Sequence, residues 1–171
     1  YKKKAKMIRV IIDKLGSGHR DLFLKIDTMP EYSLTADSYY LYDFLEISDS
    51  DFEKLKLKQE ETLKYKTVEL LKYWIERIEK IEKGQRTFIP FDLCDEYIGG
   101  FLIEKTKLGF KTKRVFSDKI PGYAVVKSNL DQQIEDNNVR FMEEEKSEWL
   151  IGEEALLKGL NWSISELINQ N

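Results

Sequence analysis

Few residues in this chain have both the type and the spacing for chemistry. His19 is the only histidine and follows Gly16-Ser17-Gly18. A phosphate loop would have to lead into a helix whose N-terminal N–H groups face the anion. Here a β-like run follows, so the glycines read as a hairpin turn and His19 as a solvated turn residue. A single histidine also rules out a two-histidine mechanism and any histidine-based metal cage. Cys94 sits in Asp92-Leu93-Cys94-Asp95-Glu96. A nucleophilic thiol needs electropositive surroundings, and three neighbouring carboxylates supply the opposite, so the thiol reads as a bystander. Asp92, Asp95, Glu96 and Glu104 offer oxygen ligands for a divalent cation. The acid-x-Lys triplet of a metal nuclease is missing, however, because Glu104 is followed by Lys105 and Lys107. That stretch reads as a charged loop between strands.

Two charged segments remain. From Glu104 to Lys119 there are six basic and two acidic residues, a net of +4. Lys105, Lys107, Lys111, Lys113 and Arg114 flank the Leu108-Gly109-Phe110 turn, where they could grip a nucleic-acid backbone. Lysines on strands also protect a sheet edge, and this second reading is preferred. From Asp131 to Glu154 there are nine acidic and two basic residues, a net of −7. A charge run is ordinarily a solvated face. These acids, though, lie beside Phe141, Met142, Trp149, Leu150 and Ile151, and aromatic anchors framed by acids suit a steered interface with a basic partner. The candidate partner-binding residues are therefore Asp131, Glu135, Asp136, Glu143, Glu144, Glu145 and Glu148, with Trp149 as anchor. No catalytic, cofactor-binding or metal-binding residues are assigned.

The elements that must position these groups follow from hydrophobic period. Met7–Ile12 and Leu22–Ile26 read as a hairpin. Tyr39–Ile47 reads as a strand, with a helix as the alternative, because so dense an apolar run does not fix the period. Ser50 and Glu53 form a capping box with Asp51 beside it. Thr67, Leu71, Trp74, Ile78 and Ile81 then step by four and three, giving a long helix over about 51–83 that stops at Gly84 and breaks near 60–62. Strands follow over Thr87–Phe91, Tyr97–Ile103 and Phe110–Phe116, then Tyr123–Val126 and Val139–Met142. The Gly99-Gly100 pair inside a strand marks a bulge or a close backbone approach. Two short helices end the chain, one stopping at Gly159 and one capped by Ser163 with Glu166.

No repeat, low-complexity tract or linker divides the 171 residues. They read as one α+β domain spanning 1–171. Its fold is an antiparallel sheet of about five to six strands packed on one long helix, with Leu71, Trp74 and Ile78 buried between them and short C-terminal helices. The net charge of −3 points to no particular ligand. The one cysteine allows no internal disulfide, and the Lys/Glu-rich chain reads as cytoplasmic. No run is apolar enough to span a bilayer. No signal-peptide pattern opens the chain, which begins at Tyr1.

Two stretches carry a resemblance: FIPFDLCDEYIGGFLIEKTKLGF (Phe88–Phe110) and EKSEWLIGEEALLKGLNWSISEL (Glu145–Leu167). With the long helix before them, they resemble small bacterial immunity proteins of polymorphic or contact-dependent toxin systems, over about half of the chain. The resemblance implies a cytoplasmic, non-enzymatic α+β protein that binds and neutralises one cognate toxin, and it carries no site residues with it. The expected function is therefore protein binding, with a toxin of basic surface as partner and no cofactor. The alternatives are a divalent-metal-dependent, nuclease-like enzyme using the 92–104 carboxylates and a nucleic-acid binder using the basic 105–119 hairpin.

Overall fold

The computed structural model describes residues 8–13, 19–27, 33–48, 50, 53 and 59–169. The expectations for Met7, for the Gly16-Ser17-Gly18 turn and for Asp51 lie outside these residues. The hairpin strands β1 (Ile8–Ile12) and β2 (Leu22–Ile26) pair antiparallel, with Ile8 opposite Ile26 and Val10 opposite Leu24. A third strand, β3 (Ser33–Ala36), adds on the far side of β2. A separate antiparallel meander follows in sequence order: β4 (Arg86–Leu93), β5 (Ile98–Thr106), β6 (Gly109–Ser117) and β7 (Met142–Ile151). The expected single sheet is thus two sheets, of three and four strands. The strands pair only with their sequence neighbours, and the long helical region falls between the third and fourth, so the ladder is interrupted there.

The long helix forms as α2 (Gln59–Glu79). Its inner stripe, Thr67, Leu70, Leu71, Trp74 and Ile78, is buried, as the four-and-three spacing requires. Trp74 lies edge-on to Phe91 and Phe101, with ring centroids 5.9 and 6.4 Å away, and its indole N–H donates to the Pro90 carbonyl at 3.1 Å. A buried tryptophan needs such a partner. The strand register supplies it. Pro90 pairs with Gly100 and Asp92 with Gly99, leaving Phe91 as the extra residue of a β-bulge. The glycines opposite are required there, because a Cβ on Gly100 would sit 2.0 Å from the Ile89 carbonyl oxygen.

Several local assignments differ from expectation: the strand expected at Val139–Met142 begins only at Met142, and the long helix runs unbroken through 60–62. Residues 38–44 are a helix, α1 (Ser38–Phe44), not a strand. The deciding group is remote: the buried Asp21 carboxylate accepts the Ser38 N–H at 2.9 Å and the Ser38 hydroxyl at 2.7 Å. It thereby satisfies a helix N-terminal donor and adds charge of the favourable sign. Leu41, Tyr42, Phe44 and Leu45 then all turn inward. The two C-terminal helices are one, α4 (Glu153–Asn169). Gly159 does not stop it; it lies mid-helix where α4 crosses β1. Tyr123–Val126 is not a strand, and its first residues lie in a single 3-10 turn, Gly122–Ala124. A further short helix, α3 (Leu130–Asp136), occupies a stretch with no clear period.

Residues of both sheets and of α1, α2 and α4 share one buried apolar cluster. No helix among the described residues is long and apolar enough to cross a membrane.

Candidate functional site

The two charged segments that look independent in the sequence face each other in space. β7 pairs antiparallel with β6, placing Glu148 opposite Lys113 and Glu143 opposite Val115. Lys113 Nζ bridges to Glu143 at 2.7 Å and to Glu148 at 3.2 Å, and Lys111 also reaches Glu148 at 3.2 Å. Beyond the β6 turn, Lys105 meets Glu153 at 3.0 Å. Hydrogen bonds from Lys113 and Lys111 hold the Glu148 carboxyl below its ordinary pKa. β6 contributes Lys111, Lys113 and Arg114, while β7 contributes four glutamates and Lys146, so the two strands sum to zero. The acidic field expected from the sequence is neutralised at this face by the basic hairpin itself. Cross-strand pairs of opposite charge are ordinary sheet stabilisers.

The register between β6 and β7 breaks in one place. Lys113 pairs with Glu148 and Val115 with Glu143, so Glu144–Ser147 stand opposite Arg114 alone. The excess chain bulges outward, with Lys146 in the left-handed region at φ 58°. Ser147 closes the bulge: its hydroxyl accepts the Arg114 N–H at 3.2 Å and donates to the Glu144 carbonyl at 2.6 Å. The Arg114 guanidinium meets Glu144 at 2.9 Å and Asp92 at 3.2 Å. Asp92 also accepts from the Tyr97 hydroxyl at 3.0 Å. Burial raises the Asp92 pKa, against the pull of Tyr97 and Arg114. Glu145 and Lys146 project from the bulge exposed, with no ion pair among the described residues. Such a bulge on a strand at the sheet edge also obstructs pairing with another chain.

Trp149 is not an exposed anchor. It is 9% exposed, and its ring lies edge-on to Phe101 with centroids 5.9 Å apart. In β7, Ser147, Trp149 and Ile151 are buried while Glu148 and Leu150 are exposed, a period of two that turns the indole into the core. The exposed apolar groups beside the acids are instead Leu150, 42% exposed, near one end of β7 and the register partners Phe116 and Met142, 40% and 42% exposed, at the other. The sequence marks Met142 and Leu150 among five apolar residues beside the acids and leaves Phe116 out, because anchoring depends on which face the register leaves open.

The remaining candidates are dispersed. Asp131 lies on α3, where its carboxylate takes both Arg77 Nη groups at 2.7 and 2.9 Å; these bonds lower its pKa. Arg77 is further held by Thr87 Oγ1 at 2.7 and 3.1 Å. Asp136 accepts from the Gln132 amide, and Glu135 is exposed on the same short helix. Asp131, Glu135 and Asp136 therefore do not join the β7 acids in one element. Of the proposed cation ligands, Asp92 is engaged by Arg114 and Tyr97, and Asp95 accepts from the Tyr40 hydroxyl. Among the described residues no three His, Cys, Asp or Glu side chains are placed to hold a metal ion. Cys94 is half-buried in the β4–β5 turn, and the exposed His19 ring meets Asp37 at 3.1 Å. No family model, curated protein or solved structure matches the chain.

Proposed function

We propose that the protein is a non-enzymatic binding domain that blocks a cognate bacterial toxin in the cytoplasm, and that it meets this partner at the bulged end of β6 and β7. The observation that carries the reading is the pairing of Phe116 with Met142, two exposed apolar side chains beside the projecting Glu145 and Lys146. Apolar anchors bordered by unpaired charges are the usual composition of an interface centre and its rim. The chemistry matches the expected basic partner only locally, through Glu145 and the outer faces of Glu143 and Glu144. Because the long-range field is neutralised by β6, steering contributes less than the charge count of the acidic segment suggests.

The test begins with the polypeptide encoded directly upstream of this chain's gene. Its expression should arrest growth, co-expression of this chain should restore growth, and the two purified proteins should form a one-to-one complex. Changing Phe116 and Met142 together to Ser should speed dissociation about a hundredfold, as loss of a central anchor does. Changing Glu143, Glu144 and Glu145 together to Gln should slow association only about threefold at low salt. Neither protection nor a complex, or unchanged dissociation from a folded Ser variant, rejects the proposal.

A further inference from the structure

The outer face of the four-stranded sheet is only partly covered. Phe88, Leu102 and Val115 form a floor from β4, β5 and β6, and α3 with the segment after it forms a wall through Ile134, Val139 and Phe141. Between them lies a cleft of about 420 Å³, within the range that takes a small organic ligand. Phe88 and Phe141 stack at its base, with centroids 4.6 Å apart and planes 20° apart; Phe88 is buried, so the open apolar surface is that of the half-buried Leu102, Ile134, Val139 and Phe141.

The rim is cationic. Arg77, Arg86 and Arg140 line the cleft, with Asp131 and Glu143 as its acids. Both acids are already engaged, Asp131 by Arg77 and Glu143 by Lys113. Arg86 and Arg140 are exposed and have no ion pair within 4.0 Å among the described residues, although Glu104 lies across the strand from Arg86. A smaller cleft of about 210 Å³ adjoins this one, sharing Arg77 and Arg86 and adding Lys80. In a chain of net charge −3, two uncommitted guanidinium groups thus border an apolar floor. Guanidinium is the side chain best shaped for carboxylate, phosphate or sulfonate oxygens, and the low-dielectric floor strengthens its field.

We infer that this cleft binds a small organic anion with an apolar body, the body against Leu102, Ile134 and Phe141 and the head group on Arg86 and Arg140. This site is separate from the bulged end of β6 and β7, and the inference stands whether or not a toxin is the partner. The probe is 8-anilinonaphthalene-1-sulfonate, read by its fluorescence in the purified protein, with the uncharged N-phenyl-1-naphthylamine as its neutral counterpart. The expected result is one-to-one binding of the sulfonate that weakens about tenfold in the Arg86→Gln/Arg140→Gln double variant, equivalent to about 1.4 kcal/mol. Binding of the neutral probe and the urea midpoint should stay unchanged in that variant, because neither arginine has an ion pair to lose among the described residues. Displacement by 1-naphthoate against 1-naphthyl phosphate then tells which head group the arginines prefer. Three results would overturn the inference: no one-to-one sulfonate binding, full affinity in the double variant, or a parallel loss of the neutral probe.

Discussion

Gly159→Ala tests how α4 is seated on the first sheet. A Cβ at this position would lie 2.8 Å from the Ile8 carbonyl oxygen and 2.9 Å from the Ile8 nitrogen. Both are strand backbone and cannot swing aside, so the helix must retreat by about 0.6 Å to reach ordinary van der Waals distance. One turn further on, Ser163 Oγ accepts the Val10 N–H at 3.1 Å while donating to the Gly159 carbonyl at 3.0 Å. A retreat of that size stretches the Val10 bond past hydrogen-bonding distance and strands a buried donor, at about 1–3 kcal/mol. Overpacking strain adds about 1–3 kcal/mol, and the better helix propensity of alanine returns about 1 kcal/mol. The net is about 3 kcal/mol of lost stability, or roughly 9 °C in melting temperature for a chain of this length. Urea unfolding followed by tryptophan fluorescence should show it as a lower midpoint with an unchanged slope. Ser163→Ala should cost about 1–2 kcal/mol, and the double variant less than the sum, because both act on one seam. A neutral or stabilising Gly159→Ala would refute the close approach and leave the glycine an ordinary helix position.

Two further outcomes follow from burial and charge. Trp149→Ala should destabilise the protein by about 3–5 kcal/mol, the usual result for a large buried aromatic, and calorimetric melting should register it without any partner present. Asp131→Asn should cost under about 1 kcal/mol near pH 6, since the Asp131 side chain is 72% exposed and water screens the pair. Because the folded-state pKa of Asp131 is lowered by Arg77, its contribution is complete above the ordinary aspartate value near 4 and is lost as pH falls through the folded value. Denaturant midpoints of wild type and variant should therefore converge toward pH 2.5; a gap that stays constant with pH would mean the carboxylate charge is not what holds Arg77.

The elements legible in the sequence are those whose pattern is local and strong. Leu71, Trp74 and Ile78 repeat at helical spacing over enough turns to announce α2. The alternation at Ile98–Ile103 and Phe110–Phe116 announces β5 and β6, and Gly99-Gly100 announces the bulge opposite them. Residues 38–44 carry no such period, and their conformation turns on Asp21, a residue 17 positions away. Gly159 and Ser163 have the look of helix punctuation, yet each is explained by β1 passing beside α4, which no window around residue 160 contains.

The candidate site divides along the same line. Composition and order in the chain determined that one segment is basic, one acidic, and that aromatic residues border the acids. Only the tertiary structure decided what those charges do, because a register sets which groups meet. Pairing β7 with β6 brings Glu143 and Glu148 within reach of Lys113, turning two opposed fields into one neutral ladder. The same register carries Trp149 into the core, leaves Phe116 and Met142 outside, and pushes Glu145 and Lys146 out on the bulge. Side chains on a strand alternate between faces, so a shift of one residue would reverse each of these outcomes. The Arg86 and Arg140 rim is equally a product of folding: its two arginines are 54 positions apart in the chain and become neighbours across one cleft only when α3 and the segment after it lie over the sheet.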